Sequence, residues 1–151
     1  MTVTTCESDQ LGDLSLGPRE AVVAVLVASV SADGLLRLEE ADRFSEMVRA
    51  TRWIESGTEP IGRTTTRTLD LIARHGLTAV LSACAAAIPR ELRATTFALT
   101  TDLALADGRL GSRESALLDE LQRVLGITNE LARKITEVLL IKNRASGRPD
   151  F

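Results

Sequence analysis

Aromatic residues are scarce in this 151-residue chain, which contains no Tyr, one Trp and three Phe. A core with so few rings has to be built from Leu, Val, Ile and Ala, and this composition favours close-packed helices over β-sheets, which are rich in aromatic and β-branched residues. Histidine occurs once and cysteine twice. This argues against a Cys/His zinc site and against a disulfide scaffold, and we expect both thiols to be reduced, as in a cytoplasmic protein.

Long apolar runs and an excess of positive charge are also missing. The longest apolar run, residues 21–30, is about half as long as a membrane span and therefore predicts a buried helix. The N-terminus has neither the basic flank nor the apolar core of a signal peptide. The net charge of −3 argues against nucleic-acid binding. No glycine-rich phosphate loop follows a strand, and no Ser-His-Asp set can be identified, so we expect no enzymatic activity.

One stretch of the chain occurs twice. The sequence ADGLLRLEE of residues 32–40 returns as ADGRLGSRE in residues 106–114, so that the Asp, the Gly and the final Glu of one copy match those of the other at a constant separation of 74 positions. Each copy follows an apolar helical run and precedes an amphipathic one, which is typical of a corner between two helices. The sequence therefore predicts an internally duplicated helical protein.

Hydrophobic periodicity and helix-boundary residues predict an all-α, seven-helix bundle with this internal duplication. Apolar residues surround the first helix almost completely, so we expect it to be the central and most buried one. Between the second and third helices, residues 51–63 are predicted to form a loop anchored by Trp53 and Ile54. The seven predicted helices cover residues 18–31, 38–50, 64–74, 78–87, 90–105, 112–125 and 129–141.

The predicted bundle has simple boundaries. We expect residues 17–145 to form a single domain, preceded by a flexible N-terminal tail of residues 1–16 and followed by a C-terminal tail of residues 146–151. The last helix ends in a run of apolar residues. It is predicted to bury Leu131, Ile135, Val138, Leu139 and Ile141, but the three successive apolar residues 139–141 cannot all face one core, so one of them is available to a partner.

Each corner places an Asp at the end of one helix and a Glu in the first turn of the next. This spacing is similar to the second half of an EF-hand calcium loop. The first two ligand positions of such a loop would fall on Leu103 and Leu105 in the second copy, and on Ser29 and Ser31 in the first. Leucine cannot bind a cation, so a true EF-hand is not expected in the second copy and would be poor in the first.

Two interpretations of the repeated carboxylates stay open. If the halves pack about a pseudo-twofold axis, Asp33, Glu40, Asp107 and Glu114 converge on one acidic cleft, which Asp102 can join. Carboxylates without His or thiolate suit a hard cation such as Ca²⁺ or Mg²⁺. Alternatively, the two Asp side chains bond only to backbone amides of their turns, and the two Glu side chains complement helix N-termini. In this second interpretation, the carboxylates are repeated only because the helical structure that they cap is duplicated.

The two Ala-Asp-Gly-x-Leu corners with their trailing Glu resemble the TerB-like family, whose helical members are associated with tellurite resistance. The run IPRELRATTFAL of residues 88–99 is similar to the segment that leads into the second corner in the bacterial branch of that family. The resemblance extends over about residues 21–145. It implies a seven-helix duplicated bundle and an association with stress responses. It also implies metal chelation by the acidic positions, which here are Asp33, Glu40, Asp102, Asp107 and Glu114.

The sequence thus predicts a non-enzymatic TerB-like module whose acidic corners bind a divalent cation or a basic surface of a partner protein. No other cofactor is expected. Any metal site would be asymmetric, because the position equivalent to Asp102 in the first copy is Ala28. The alternative is a purely structural interaction protein that forms a homodimer through an apolar helix face. An enzyme acting through paired carboxylates would need a cleft that the sequence does not indicate.

Overall fold

The computed structural model describes residues 16–31, 37–55, 60–105 and 110–144. All regular structure in these ranges is helical, and this confirms the all-α class. The seven predicted helices are present, and an additional single turn lies in the predicted loop. The helices are α1 (Pro18–Val30), α2 (Leu38–Ala50), α3 (Arg52–Glu55), α4 (Ile61–His75), α5 (Leu77–Ala87), α6 (Arg90–Ala104), α7 (Ser112–Leu125) and α8 (Asn129–Lys142). Both predicted tails fall almost wholly outside the described residues.

Helix α1 is the centre of the bundle. Its eight consecutive residues 21–28 are all buried. They can be buried on every side because α1 packs against α4, α5 and α6, and also contacts α2 and α3. A helix without a polar face is stable only in such a position. The predicted central place of the first helix is therefore confirmed.

The duplication is visible in the packing. Helices α1 and α6 correspond to each other, as do α2 and α7, and α1 contacts α2 just as α6 contacts α7. The halves diverge after this point. Ten residues, 51–60, connect α2 to α4, whereas three residues, 126–128, connect α7 to α8.

The longer connection contains α3, which anchors it. Ile54 is completely buried, as the anchor prediction requires, whereas the neighbouring Trp53 is 37% exposed. Successive side chains on a helical turn point about 100° apart, so a turn that packs on one side can bury one of the two more fully than the other. Ile54 therefore confirms the anchor prediction, and Trp53 is the less buried of the two residues.

Helix α8 is less buried than its sequence predicts. Leu131, Val138 and Ile141, all predicted to be buried, are exposed, as is Leu140. Helix α8 packs mainly against α6, and one neighbour covers only one narrow stripe of a helix surface. Ala132 lies on that stripe, and the apolar residues away from it remain at the surface.

Candidate functional site

The first turns of α2 and α7 meet at one cleft of about 440 Å³, which we call the corner cleft. Glu40 of α2 and Glu114 of α7 both line it. The end of α1 contributes Ser29 and Val30, and the start of α5 contributes Leu77 and Thr78. Two carboxylates that are equivalent in the repeat, and 74 positions apart in the chain, therefore lie on the same surface of the molecule.

Both carboxylates fold back over the start of their own helix. An oxygen of Glu40 accepts a hydrogen bond from the backbone N–H of Arg37 at 3.2 Å. Glu114 bends over Gly111 in the same way, because one of its oxygens occupies the space into which a Cβ at Gly111 would project. Glu20 in α1 does the same over Gly17. Back-folding of a first-turn glutamate is thus a recurrent helix-start arrangement in this chain, as the capping interpretation expects.

The rim of the corner cleft carries charges of both signs. Glu120 of α7 is a third carboxylate, and Arg37 and Arg113 are the two cations. A hydrogen bond from Arg123, at 2.5 Å, and the positive charge of that guanidinium hold the pKa of Glu120 below its ordinary value. Glu120 is therefore ionised at neutral pH, and the cleft is lined by three carboxylates and two guanidinium groups.

The described carboxylates do not by themselves form a metal site. Within the described ranges, no group of three or more His, Cys, Asp or Glu side chains is arranged to hold a metal ion. Asp33 and Asp107, two of the predicted ligands, lie outside the described residues. A cation bound at the corner cleft would therefore need oxygen ligands in addition to Glu40 and Glu114.

Asp102, the fifth predicted ligand, lies elsewhere. It is not among the residues that line the corner cleft. Its two carboxylate oxygens accept hydrogen bonds from Nζ of Lys142 at 2.9 and 3.0 Å. One of them also accepts a bond from the side-chain amide of Asn143 at 2.8 Å. Asp102 thus ties α6 to the C-terminal end of α8.

Several residues of the corner cleft were not singled out by the sequence. Leu77 and Thr78 belong to α5, which is not part of the repeat, and only the fold brings them to the corners. The turn before them needs Gly76, whose φ of 86° and ψ of 161° favour glycine. The sequence does mark this turn through the stop signal His75-Gly76, but it gives no sign that α5 starts beside the cleft.

The one described cysteine is not a candidate nucleophile. Cys84 is a residue of α5, belongs to the core and is 1% exposed. Burial raises the pKa of its thiol to about 12. The thiolate, which is the reactive form, is therefore nearly absent at neutral pH.

Comparison with known proteins places most of the helical region in one family. The family model described as tellurite resistance protein TerB matches residues 19–137, from the start of α1 into α8. No curated protein and no solved structure is significantly similar to the chain. Among the described residues, no helix combines the length and the apolar character that crossing a membrane requires.

Proposed function

Because this chain belongs to the tellurite resistance protein TerB family, we propose that it is a non-enzymatic cytoplasmic module of a tellurite- or metal-stress response. Its binding site in this proposal is the corner cleft. The supporting observation is that Glu40 and Glu114, the equivalent carboxylates of the two halves, line this one cleft.

The ligand that we propose for the corner cleft is a divalent cation, Ca²⁺ or Mg²⁺. These ions prefer oxygen ligands, and the charged side chains that the two corners share at equivalent positions are carboxylates. Glu40 and Glu114 would supply one ligand each, and Asp33 and Asp107 would supply the others. The hydrogen bond from Arg37 uses one oxygen of Glu40, so capping and binding are compatible at this residue.

Calorimetric titration with Ca²⁺, Mg²⁺ and Mn²⁺ tests this proposal. A cation that binds only the folded protein stabilises it by about 2.7 kcal/mol when its concentration is a hundred times the dissociation constant. For a domain of this size that corresponds to a rise in the melting temperature on the order of 10 °C. No heat and no change in melting temperature at millimolar metal would remove the cation from the proposal.

The variants Glu40→Gln and Glu114→Gln locate the site. Each removes one negative charge from the corner cleft, and each is expected to weaken cation binding. Glu39→Gln is the matched control, because Glu39 lies in the same first turn of α2 but does not line the cleft. If Glu39→Gln and Glu40→Gln weaken cation binding equally, the affinity depends only on the overall charge of the protein.

A basic surface of a partner protein is the second ligand that would suit the corner cleft. Its lining combines charged side chains with the apolar residues Val30, Leu77 and Leu117, as is typical of a protein contact. A partner with exposed Lys or Arg would be retained in the presence of a chelator, and the retention would weaken in Glu40→Gln and Glu114→Gln. Retention that depends on added metal would instead favour the cation.

The alternative function, a structural protein that forms homodimers, is favoured by a different surface. Val138 and Ile141 of α8 are 63% and 69% exposed and lie on one side of the helix. Sedimentation at several concentrations tests this function. A dimer that dissociates in Val138→Ser with Ile141→Ser would support it, and a monomer at all concentrations would exclude it.

A further inference from the structure

Among the longer helices, α8 is held least by apolar packing. Only Ala132 is buried within its 14 residues, whereas eight residues of α1 and four residues of α7 are buried. Helix α4, which follows α2 and α3 in the first half, packs against both α1 and α5, but α8 packs mainly against α6. Because the apolar area that becomes exposed sets most of the free energy of opening, α8 is the helix that costs least to detach.

Polar contacts hold α8 at both ends. At its start, the side-chain amide of Gln122 in α7 donates a hydrogen bond to Oδ1 of Asn129 at 2.6 Å. At its end, the carboxylate of Asp102 in α6 accepts hydrogen bonds from the side chains of Lys142 and Asn143. The first contact lies beside the connection from α7, and the second lies at the opposite end of α8.

Between these two contacts, a groove of about 290 Å³ lies between α7 and α8. We call it the α7–α8 groove. Phe97 of α6 and Leu118 of α7 line it, together with Ala132 and Thr136 of α8. Phe97 and Leu118 are both buried. Movement of α8 away from α6 would therefore open the groove and expose these two large apolar side chains to water.

The connection from α7 to α8 suits a hinge. Gly126 ends α7 in the left-handed conformation, with a φ of 68°. The hydroxyl oxygen of Thr128 accepts a hydrogen bond from the backbone N–H of Leu131 and so caps α8. Each of the two helix ends is completed by residues next to it in the chain, so both stay intact when the angle between the helices changes.

We propose that α8 is a strap that opens as a unit about residues 126–128 while the other helices stay folded. Opening breaks the contacts of Asp102 and uncovers Phe97 and Leu118, whereas the contact of Gln122 lies at the hinge and is kept. No residue of α8 lines the corner cleft, so this device does not depend on the proposed cation site.

Native-state hydrogen exchange of the full-length ¹⁵N-labelled chain tests the proposal. An amide that exchanges through a local opening needs less free energy and responds less to urea than one that exchanges only on global unfolding. After correction for the rates in an unfolded chain, we expect the amides of Ile135 and Leu139 in α8 to exchange at least about tenfold faster than those of Val25 and Leu26 in α1. We also expect their exchange to depend less on urea.

Two variants separate the opening of α8 from global unfolding. Ile54→Ala removes a buried side chain of α3, which contacts α1 and α2. It is expected to speed exchange in α1 by about thirtyfold or more and to leave exchange in α8 unchanged, because Ile54 stays packed when α8 opens. Asp102→Ala removes the contacts that opening breaks, and it is expected to speed exchange in α8 by about fivefold or more. If Ile54→Ala does not fold, the milder Ile54→Val takes its place in the same comparison.

Two results would overturn the proposal. The first is that the variant at Ile54 speeds exchange in α8 and in α1 by the same factor, because α8 would then open only when the whole protein unfolds. The second is protection that falls steadily along α8 from Leu131 to Ile141, which would show fraying from the end of the helix in place of opening as a unit. A single opening free energy shared by the amides of α8 is the result that the proposal predicts.

Discussion

Replacing Asp102 by Ala is expected to loosen the attachment of α8 to α6. Two contacts are lost, and their contributions differ. The pair with Lys142 is weak, because 58% of the Lys142 side chain is exposed and such pairs contribute about 0–1 kcal/mol. Asn143 is only 6% exposed, and its amide keeps one acceptor, the carbonyl of Leu139. Leaving the other donor of a buried amide without a partner costs about 1–3 kcal/mol.

The expected loss of unfolding free energy for Asp102→Ala is therefore about 1–4 kcal/mol, which urea denaturation can measure. Lys142→Ala is the matched control, because it removes only the exposed pair and is expected to cost less than about 1 kcal/mol. Equal losses in the two variants would refute the reasoning about Asn143. Asp102 does not line the corner cleft, so Asp102→Ala is also expected to keep the cation affinity of the unmodified chain, and a large loss of affinity would contradict this placement.

Three further predictions concern stability and reactivity. Ile54→Ala is expected to cost about 2–5 kcal/mol in urea denaturation, because Ile54 is completely buried; a loss below about 1 kcal/mol would show that α3 does not anchor its connection. Gly76→Ala should lower the unfolding free energy by about 1–3 kcal/mol, because Gly76 has a φ of 86° and a ψ of 161°. The loss should be larger than for Gly126→Ala, because Gly126 lies in the left-handed helical region, which costs other residues less; a larger loss for Gly126→Ala would contradict this reasoning. Cys84 should resist iodoacetamide at pH 8 in the folded protein and react in urea, because burial raises the pKa of its thiol from 9.0 to about 12, and equal labelling of folded and unfolded protein would refute this protection. The contribution of the neutral thiol to stability is complete below pH 9 and is lost as the pH rises toward 12.

The fold could be predicted from sequence where a pattern repeats over several turns. The uniformly apolar α1 could only be a central helix, and glycine or proline stands at half of the helix caps. Helix α3 has a single turn, and one turn is too short to show a period. The exposure of Val138 could not be foreseen either, since an apolar stripe does not reveal how many neighbours are present to cover it.

The candidate site, too, could be predicted from the sequence only in part. The constant offset between the corners gave a physical reason to expect Glu40 and Glu114 near each other, and both line one cleft. The partners of Asp102 could not be foreseen, because Lys142 lies 40 positions away and belongs to no repeat. The contribution of α5 was missed for a similar reason. Duplication predicts which residues correspond, whereas contacts between non-equivalent helices depend on packing.

In the proposed function, the two corners form one binding site. An NMR titration of the ¹⁵N-labelled chain with Ca²⁺ and with Mg²⁺ tests it directly, through the amide signals of Glu40 and Glu114. If the account is correct, both signals shift in the same titration and fit a single dissociation constant. Shifts at one corner alone, or two independent constants, would contradict it.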